Sequence, residues 1–303
     1  MRQIAIRFAR PMLAFVALMA IPAIIQAQGA QPDFSKVEIK TNKISNNFYT
    51  LIRSMAKGHD WGADRAGWRV PGGRAVRAAV GEDRDSRPAG FRRRHCEVPG
   101  EHARARRSYG RQLKLAKMGA TILARPELRD RLAATPNTPA MALPKVTYDN
   151  QVTIHIDGET IELIPIRRAH TDGDTLVHFV NNDVLMTGDY YRSLGYPNID
   201  RANGGSLEGM LRGLAITASL AGPNTKIIPG HGATVDRSAV IAHRDIILAV
   251  RDRVSKLIQQ GKSQDEVVAA KVTSDYDSRV PGGAGMTADR FVGQVYAELK
   301  GTK

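Results

Sequence analysis

Apolar and polar positions alternate along residues 37–51 (VEIKTNKISNNFYTL) on both sides of Ser45, Asn46 and Asn47, and this period of two, broken by turn formers, predicts a β-hairpin. The same period returns over residues 152–166 (VTIHIDGETIELIPI), where Asp157 and Gly158 supply the turn of a second hairpin. Between the two, residues 120–124 read as a short strand, and Pro126 stands where the first position of a helix tolerates a missing N–H. Residues 135–145 (TPNTPAMALPK) form a proline-rich connection. Farther along, the period lengthens. Leu207, Met210, Leu211 and Leu214 follow the N-cap residue Ser206 at helical spacing. Residues 236–260 carry Val240, Ile241, Ile247, Leu248, Val250, Val254 and Leu257 as one broad apolar stripe. Residues 263–272 open with SQDE, an N-cap followed by acids that suit the helix dipole, and a last helix is predicted over 287–299. Residues 58–112 stand apart, with no helical stripe and no strand alternation from which a core could be built.

Three of the apolar runs end in metal-binding residue types. IELIPI leads into RAHTDGD with His170, VLMTGD ends on Asp189, and KIIPGHG breaks at Pro229 and Gly230 and presents His231 between two glycines. Two imidazoles and a carboxylate at strand termini are what a divalent metal site on a β scaffold needs. Asp172 and Asp174 follow His170 closely and admit two readings, ordinary turn chemistry or support that orients the ligands and loops around them. Tyr190, Tyr191, Tyr196 and Asn198 come just after the aspartate and are candidates for lining a pocket. His155, in a strand between Ile154 and Ile156, reads as a structural histidine, and His243, beside charged residues on the long helix, reads as surface. His59, His95 and His102 lie among arginines in the patternless stretch and read as solvated side chains.

Length changes the picture little: 303 residues at 42% hydrophobic content suffice for one large α/β domain. At the N-terminus, Arg2, Arg7 and Arg10 precede an apolar run over 11–25, and Ala27, Gly29 and Ala30 follow it, the layout of a secretory signal peptide over 1–28. The run is short for a membrane span and is broken by Pro22, so the reading is cleavage, a periplasmic or secreted product and no stable membrane anchor. Cys96 is the single cysteine, which excludes an internal disulfide. The formal charge of +14 would suit a nucleic-acid or anionic partner if it were spread over a face. It is not: residues 58–114 hold 13 Arg and 1 Lys against 7 acids, half of the net charge. The expected partner is therefore a small-molecule substrate and not nucleic acid.

The strings AHTDGDT, TGDYY and PGHG, in that order, resemble the metallo-β-lactamase superfamily. The resemblance covers residues 37–51 and 115–299 and implies an α/β fold, the four-layer αβ/βα sandwich, over a domain at 36–235 with C-terminal helices at 236–303 packing on the same domain. It also implies that His170 and His231 each bind one zinc of a pair, that Asp189 bridges both, and that Asp174 gives second-layer support. The activity it implies is hydrolysis of an ester, thioester, lactone or β-lactam by a hydroxide held between the metals. With Asp189 rather than cysteine at the bridging position, it points toward glyoxalase-like or lactonase-like enzymes. A secreted pseudoenzyme or binding protein that keeps the fold without a complete metal site is the alternative.

The superfamily's HxHxDH motif should precede His170, and no such string occurs in the chain. Residues 58–112 contain no Leu, Ile, Met, Thr, Asn or Lys, yet both tryptophans, Trp61 and Trp68, fall there. Three explanations compete: a basic disordered insertion, a low-complexity linker, or a stretch read in the wrong frame. Codons for GHDWGADRAGWRVPGGRAV can be chosen so that the adjacent frame spells GTIGALTGPDGVFLVDGQF, a family-like strand, turn and strand. The same shift applied to EHARARRSYGRQ permits NTRVHGDHTGGN, with VHGDH intact. Two family motifs recovered by one shift favour the third explanation, which predicts a crippled centre and a disordered 58–112 in the chain as written.

Overall fold

The computed structural model describes residues 37–44, 48–55, 60–69, 75–78, 96–97, 112–113, 115–117, 119–156 and 158–301. The predicted signal peptide lies outside the described residues. The first predicted hairpin begins a four-stranded antiparallel meander of β1 (Val37–Lys43), β2 (Phe48–Met55), β3 (Asp60–Arg69) and β4 (Ala75–Ala78). The expectation of disorder over 58–112 is corrected here for three stretches, because β3, β4 and residues 96–97 are paired strands. Sheet pairing is a property of backbone N–H and C=O groups, so a segment without apolar alternation can still complete a ladder that β2 has started.

A small set of parallel strands follows, β5 (Cys96–Glu97), β6 (Thr121–Ala124) and β7 (Val146–Thr147), with α1 (Pro126–Ala134) between the last two. Pro126 opens α1 as expected, and Leu128 and Leu132, four residues apart, bury one face against Ala124 and Leu143.

The second large sheet runs in the order β12, β11, β10, β9, β8, formed by β8 (Val152–Ile156), β9 (Glu159–Pro165), β10 (Thr175–Phe179), β11 (Val184–Arg192) and β12 (Lys226–His231). Its pairs are antiparallel except β11 with β12, which are parallel and joined through α2 (Leu207–Leu220). Alternate residues of these strands serve two cores. Val177, Val184, Met186 and Ile228 meet Phe48 and Phe179, the two rings edge to face with centroids 5.0 Å apart, and so join this sheet to the first one. Leu176, Leu185 and Ile227 point the other way, toward α2, α3 (Arg237–Gln259) and α5 (Met286–Leu299). Strand period two thus produces sheet on sheet with helices outside.

Side chains cap three of the helix starts, two of them, Ser206 and Ser263, at the predicted residues. Ser206 accepts from Gly209 N at the head of α2, Asp236 from Ala239 N at the head of α3, and Ser263 forms a reciprocal capping box with Glu266 at the head of α4 (Gln264–Ala269). The last of these helices ends at Ala269, short of the predicted Val272. Among the described residues no helix is long and apolar enough to cross a membrane.

Candidate metal centre

His170, Asp189 and His231 come together at one end of the second sheet. His170 Nε2 lies 3.9 Å from Asp189 Oδ2, and His231 Nε2 lies 3.5 Å from Asp189 Oδ1. Each imidazole therefore faces a different oxygen of one carboxylate. His170 and Asp189 are buried, whereas the His231 side chain keeps 24% of its exposure and forms the open side of the group.

Local structure explains the convergence. Asp189 sits where β11 departs from regular register with β12, between irregularities at Gly188 and Arg192, and Gly188 adopts a left-handed φ of 62°. Such irregularity at a strand end re-aims the next side chain. Across the ladder, a Cβ at Gly230 would run into Asp189 Oδ1, so the residue before His231 must be glycine if the carboxylate is to hold its place.

On the other side, the His170 turn is tied by Asp174, whose Oδ2 accepts from the backbone N–H of His170 at 2.6 Å and of Thr171 at 3.1 Å, while Oδ1 accepts from Thr171 Oγ1 at 3.0 Å. Asp172 turns away and pairs with Arg131 of α1 at 2.6 Å. Of the two readings open for these aspartates, the turn that carries His170 belongs to Asp174 and the link to α1 belongs to Asp172. Gly205 lies under the same turn, where a Cβ would collide with the His170 carbonyl.

Electrostatically, burial opposes charge on His170, but the carboxylates of Asp189 and then Asp174 outweigh it and raise its pKa. His170 Nδ1 lies 2.6 Å from the Asn198 carbonyl, which can only accept, so Nδ1 carries a proton, and in the neutral ring it is Nε2, on the side of Asp189, that keeps the lone pair. That is the tautomer a metal-binding imidazole takes when a carbonyl holds its other nitrogen.

Two imidazoles and a carboxylate are donors of the kind a divalent cation takes. They do not close a centre. Among the described residues no three His, Cys, Asp or Glu side chains form a closed metal-binding group.

Two sequence expectations are overturned. Of the four residues expected to line a pocket, Asn198 does so, beside Ile199, Asp200 and Gln294, whereas Tyr190, Tyr191 and Tyr196 are buried in the helical core, with Tyr190 bonded to Thr217 Oγ1 at 2.7 Å and Tyr196 to Asp277 at 2.8 Å. On a strand covered by helices, a tyrosine ring fills core and its hydroxyl finds a buried partner. His243 is not on the surface. It is 8% exposed, edge-on to Tyr191 at 5.1 Å, because its charged neighbours in sequence point to the other side of α3. His155 is exposed on β8 and hydrogen-bonds Thr160 at 3.2 Å, in keeping with a structural role. Sequence reasoning missed Arg192, which ends β11 opposite His231 in register and whose buried Nε has no hydrogen-bond partner among the described residues. A basic residue closing the strand three positions after Asp189 was the signal available.

No family model and no curated protein matches the sequence. Comparison of structures is more informative. The metallo-β-lactamase from Pontibacter korlensis superposes with a TM-score of 0.53 at 16% identity, covering 70% of this chain and 99% of its own. DIM-1 metallo-β-lactamase gives 0.51 at 19% identity, with 70% and 98% covered. The inverting sec-alkylsulfatase Pisa1 from Pseudomonas sp. gives 0.59 at 11% identity, covering 88% of this chain, which spans 51% of the sulfatase. The chain has the metallo-β-lactamase fold. The α/β sandwich implied by AHTDGDT, TGDYY and PGHG is therefore the observed one. The three gathered residues are those strings' own His170, Asp189 and His231.

Burial, and next the positive charge of Arg192, hold the His243 imidazole down to about 4 against an ordinary 6.5. A histidine whose folded pKa is depressed stabilises the fold above its unfolded pKa and loses that contribution as pH falls toward the folded value. Unfolding followed by urea should therefore show about 3 kcal/mol lost between pH 6.5 and 4 from this group. His243→Leu should remove that part of the slope. An unchanged slope in the variant would mean that another group titrates.

Proposed function

We propose that this protein is a zinc-dependent hydrolase of ester-type substrates carrying an anionic group, with a centre built on His170, Asp189 and His231. The observation that supports it most directly is the division of Asp189, one oxygen toward each imidazole. When bound, divalent cations there would polarise a carbonyl oxygen and make water a nucleophile at neutral pH. His170 and His231 would offer Nε2 lone pairs, Asp189 would span the pair, and Asp174 would keep the His170 turn from shifting. The Arg192 guanidinium, with its buried Nε unpartnered among the described residues, suits a substrate carboxylate on an ester, thioester, lactone or β-lactam. The neighbours named above are hydrolases by title, which agrees with this reading. The N-terminal sequence pattern supports a periplasmic or secreted mature protein on this reading.

The ligands still wanting belong, on this reading, to the stretch at 58–114, whose adjacent frame writes VHGDH. β3 and β4 lie within the same stretch in which the shifted text writes strand, turn and strand. The open donor set favours one second reading, a secreted binding protein that keeps the fold without metals. Zinc analysis and a hydrolysis panel of a thioester, a lactone and a chromogenic β-lactam, each with and without a carboxylate, decide between them. The expected result is chelator-sensitive turnover, faster by about tenfold or more on the carboxylate-bearing member, since a charge-assisted hydrogen bond contributes roughly 1.5–3 kcal/mol. Absence of both zinc and turnover, in the chain as written and in its frame-restored form, would leave the binding protein.

A further inference from the structure

Arg290, Gln294 and Glu298 follow one another at four-residue spacing on α5 and therefore share one face of it. Each reaches a different part of the loop between β11 and α2. Arg290 Nη2 approaches the carbonyls of Tyr196 and Pro197 at 3.4 Å, and the Glu298 carboxylate accepts from Leu207 N at 2.9 and 2.7 Å. Gln294, between them, makes the most specific set: its Oε1 accepts from Ile199 N, and its Nε2 donates to Ile199 O and to Asn198 Oδ1, each at 3.0 Å. The peptide linking Asn198 to Ile199 is thereby held from both sides. Its carbonyl is the one that receives His170 Nδ1–H at 2.6 Å.

We propose that Gln294 is a positioning residue for His170, fixing through Asn198 and Ile199 both the tautomer of the imidazole and the direction in which Nε2 is presented. An amide suits the task because one side chain must accept from an N–H and donate to two oxygens at once; a carboxylate can do only the first. The geometry stands on the hydrogen bonds alone, while its consequence for metal binding rests on the reading of His170 as a ligand. Arg290 and Glu298 hold neighbouring parts of the loop but do not touch the Asn198–Ile199 peptide.

The test uses the full chain labelled with [15N]histidine, read at alkaline pH where the ring is neutral, together with cobalt(II) titration. In the parent, the His170 ring should show Nδ1 protonated and Nε2 bare. In Gln294→Ala, and in Gln294→Glu, which keeps the volume and the acceptor but loses the donors, the ring should become a mixture of tautomers. Cobalt affinity should fall about tenfold or more, as for loss of a group that orients a ligand. Glu298→Ala should lower Tm while leaving the His170 signal as in the parent. An unchanged His170 pattern in both Gln294 variants overturns the proposal, as does the same change in Glu298→Ala. A tautomer shift in the Gln294 variants together with no cobalt binding by the parent upholds the positioning role and counts against the metal reading instead.

Discussion

Replacing residues 58–112 with their adjacent-frame reading should raise bound zinc to about two ions per chain and increase hydrolysis by at least about a hundredfold over the chain as written. A zinc site that holds its metal uses three or four protein ligands. His170 and Asp189 on one side, and His231 and Asp189 on the other, give each cation only two, and Asp189 is counted in both. The two histidines and the aspartate of the shifted VHGDH are the kind of donors that would add to both shells. Folding should improve with metal, because the 13 arginines between 58 and 114 bring charge that a sandwich interior has no means of neutralising, whereas the shifted text supplies apolar strand residues. Metal analysis and thermal melts of the two chains, made side by side, measure this. A chain as written that carries two zinc ions and turns over as fast as the restored one would end the frame explanation. So would peptides of the natural protein that contain Trp61, Trp68 and Cys96.

Signals that are local in sequence were legible. The period-two runs that became β1, β2, β8 and β9, and the caps at Ser206 and Ser263, were readable because each is decided by residues a few positions apart. The gathering of His170, Asp189 and His231 was readable for a related reason, since each ends an apolar run, and neighbouring strands bring their ends to one rim of a sheet.

What stayed hidden depends on distant parts of the chain. The hydrogen bonds from Gln294 to Asn198 and Ile199 span 95 and more residues, and no sequence period announces them. His243 looked exposed because Arg244 and Asp245 follow it, but burial on a helix is set by angle around the axis and not by adjacent residues. The tyrosines after Asp189 looked like a pocket because they follow a functional residue. They are core because α2 and α3 cover that face of β11. The strands β3 and β4 were invisible for the opposite reason, as their pairing is written in β2's free edge and not in their own side chains.

In the frame-restored protein, Asp189→Ala should cost on the order of a hundredfold or more in turnover, since changes to groups that merely orient metal ligands already cost roughly ten- to a hundredfold. The loss should fall on metal content and activity rather than on the fold. Asp189 is a buried carboxylate at the end of a strand, beside two imidazoles, and contributes no bond to the apolar cores on either side of the sheet. Without metal, the variant should melt close to the parent, because the change touches a strand end and neither apolar core. With zinc added, the parent should melt above the variant, because only the parent gains stability from binding. His155→Ala, on the exposed face of β8, is the control and should leave both quantities within a small margin of the parent. Zinc stoichiometry, melting with and without zinc, and turnover on the best substrate of the panel are the measurements. If Asp189→Ala retains its zinc and full turnover, the centre does not lie at the end of β11.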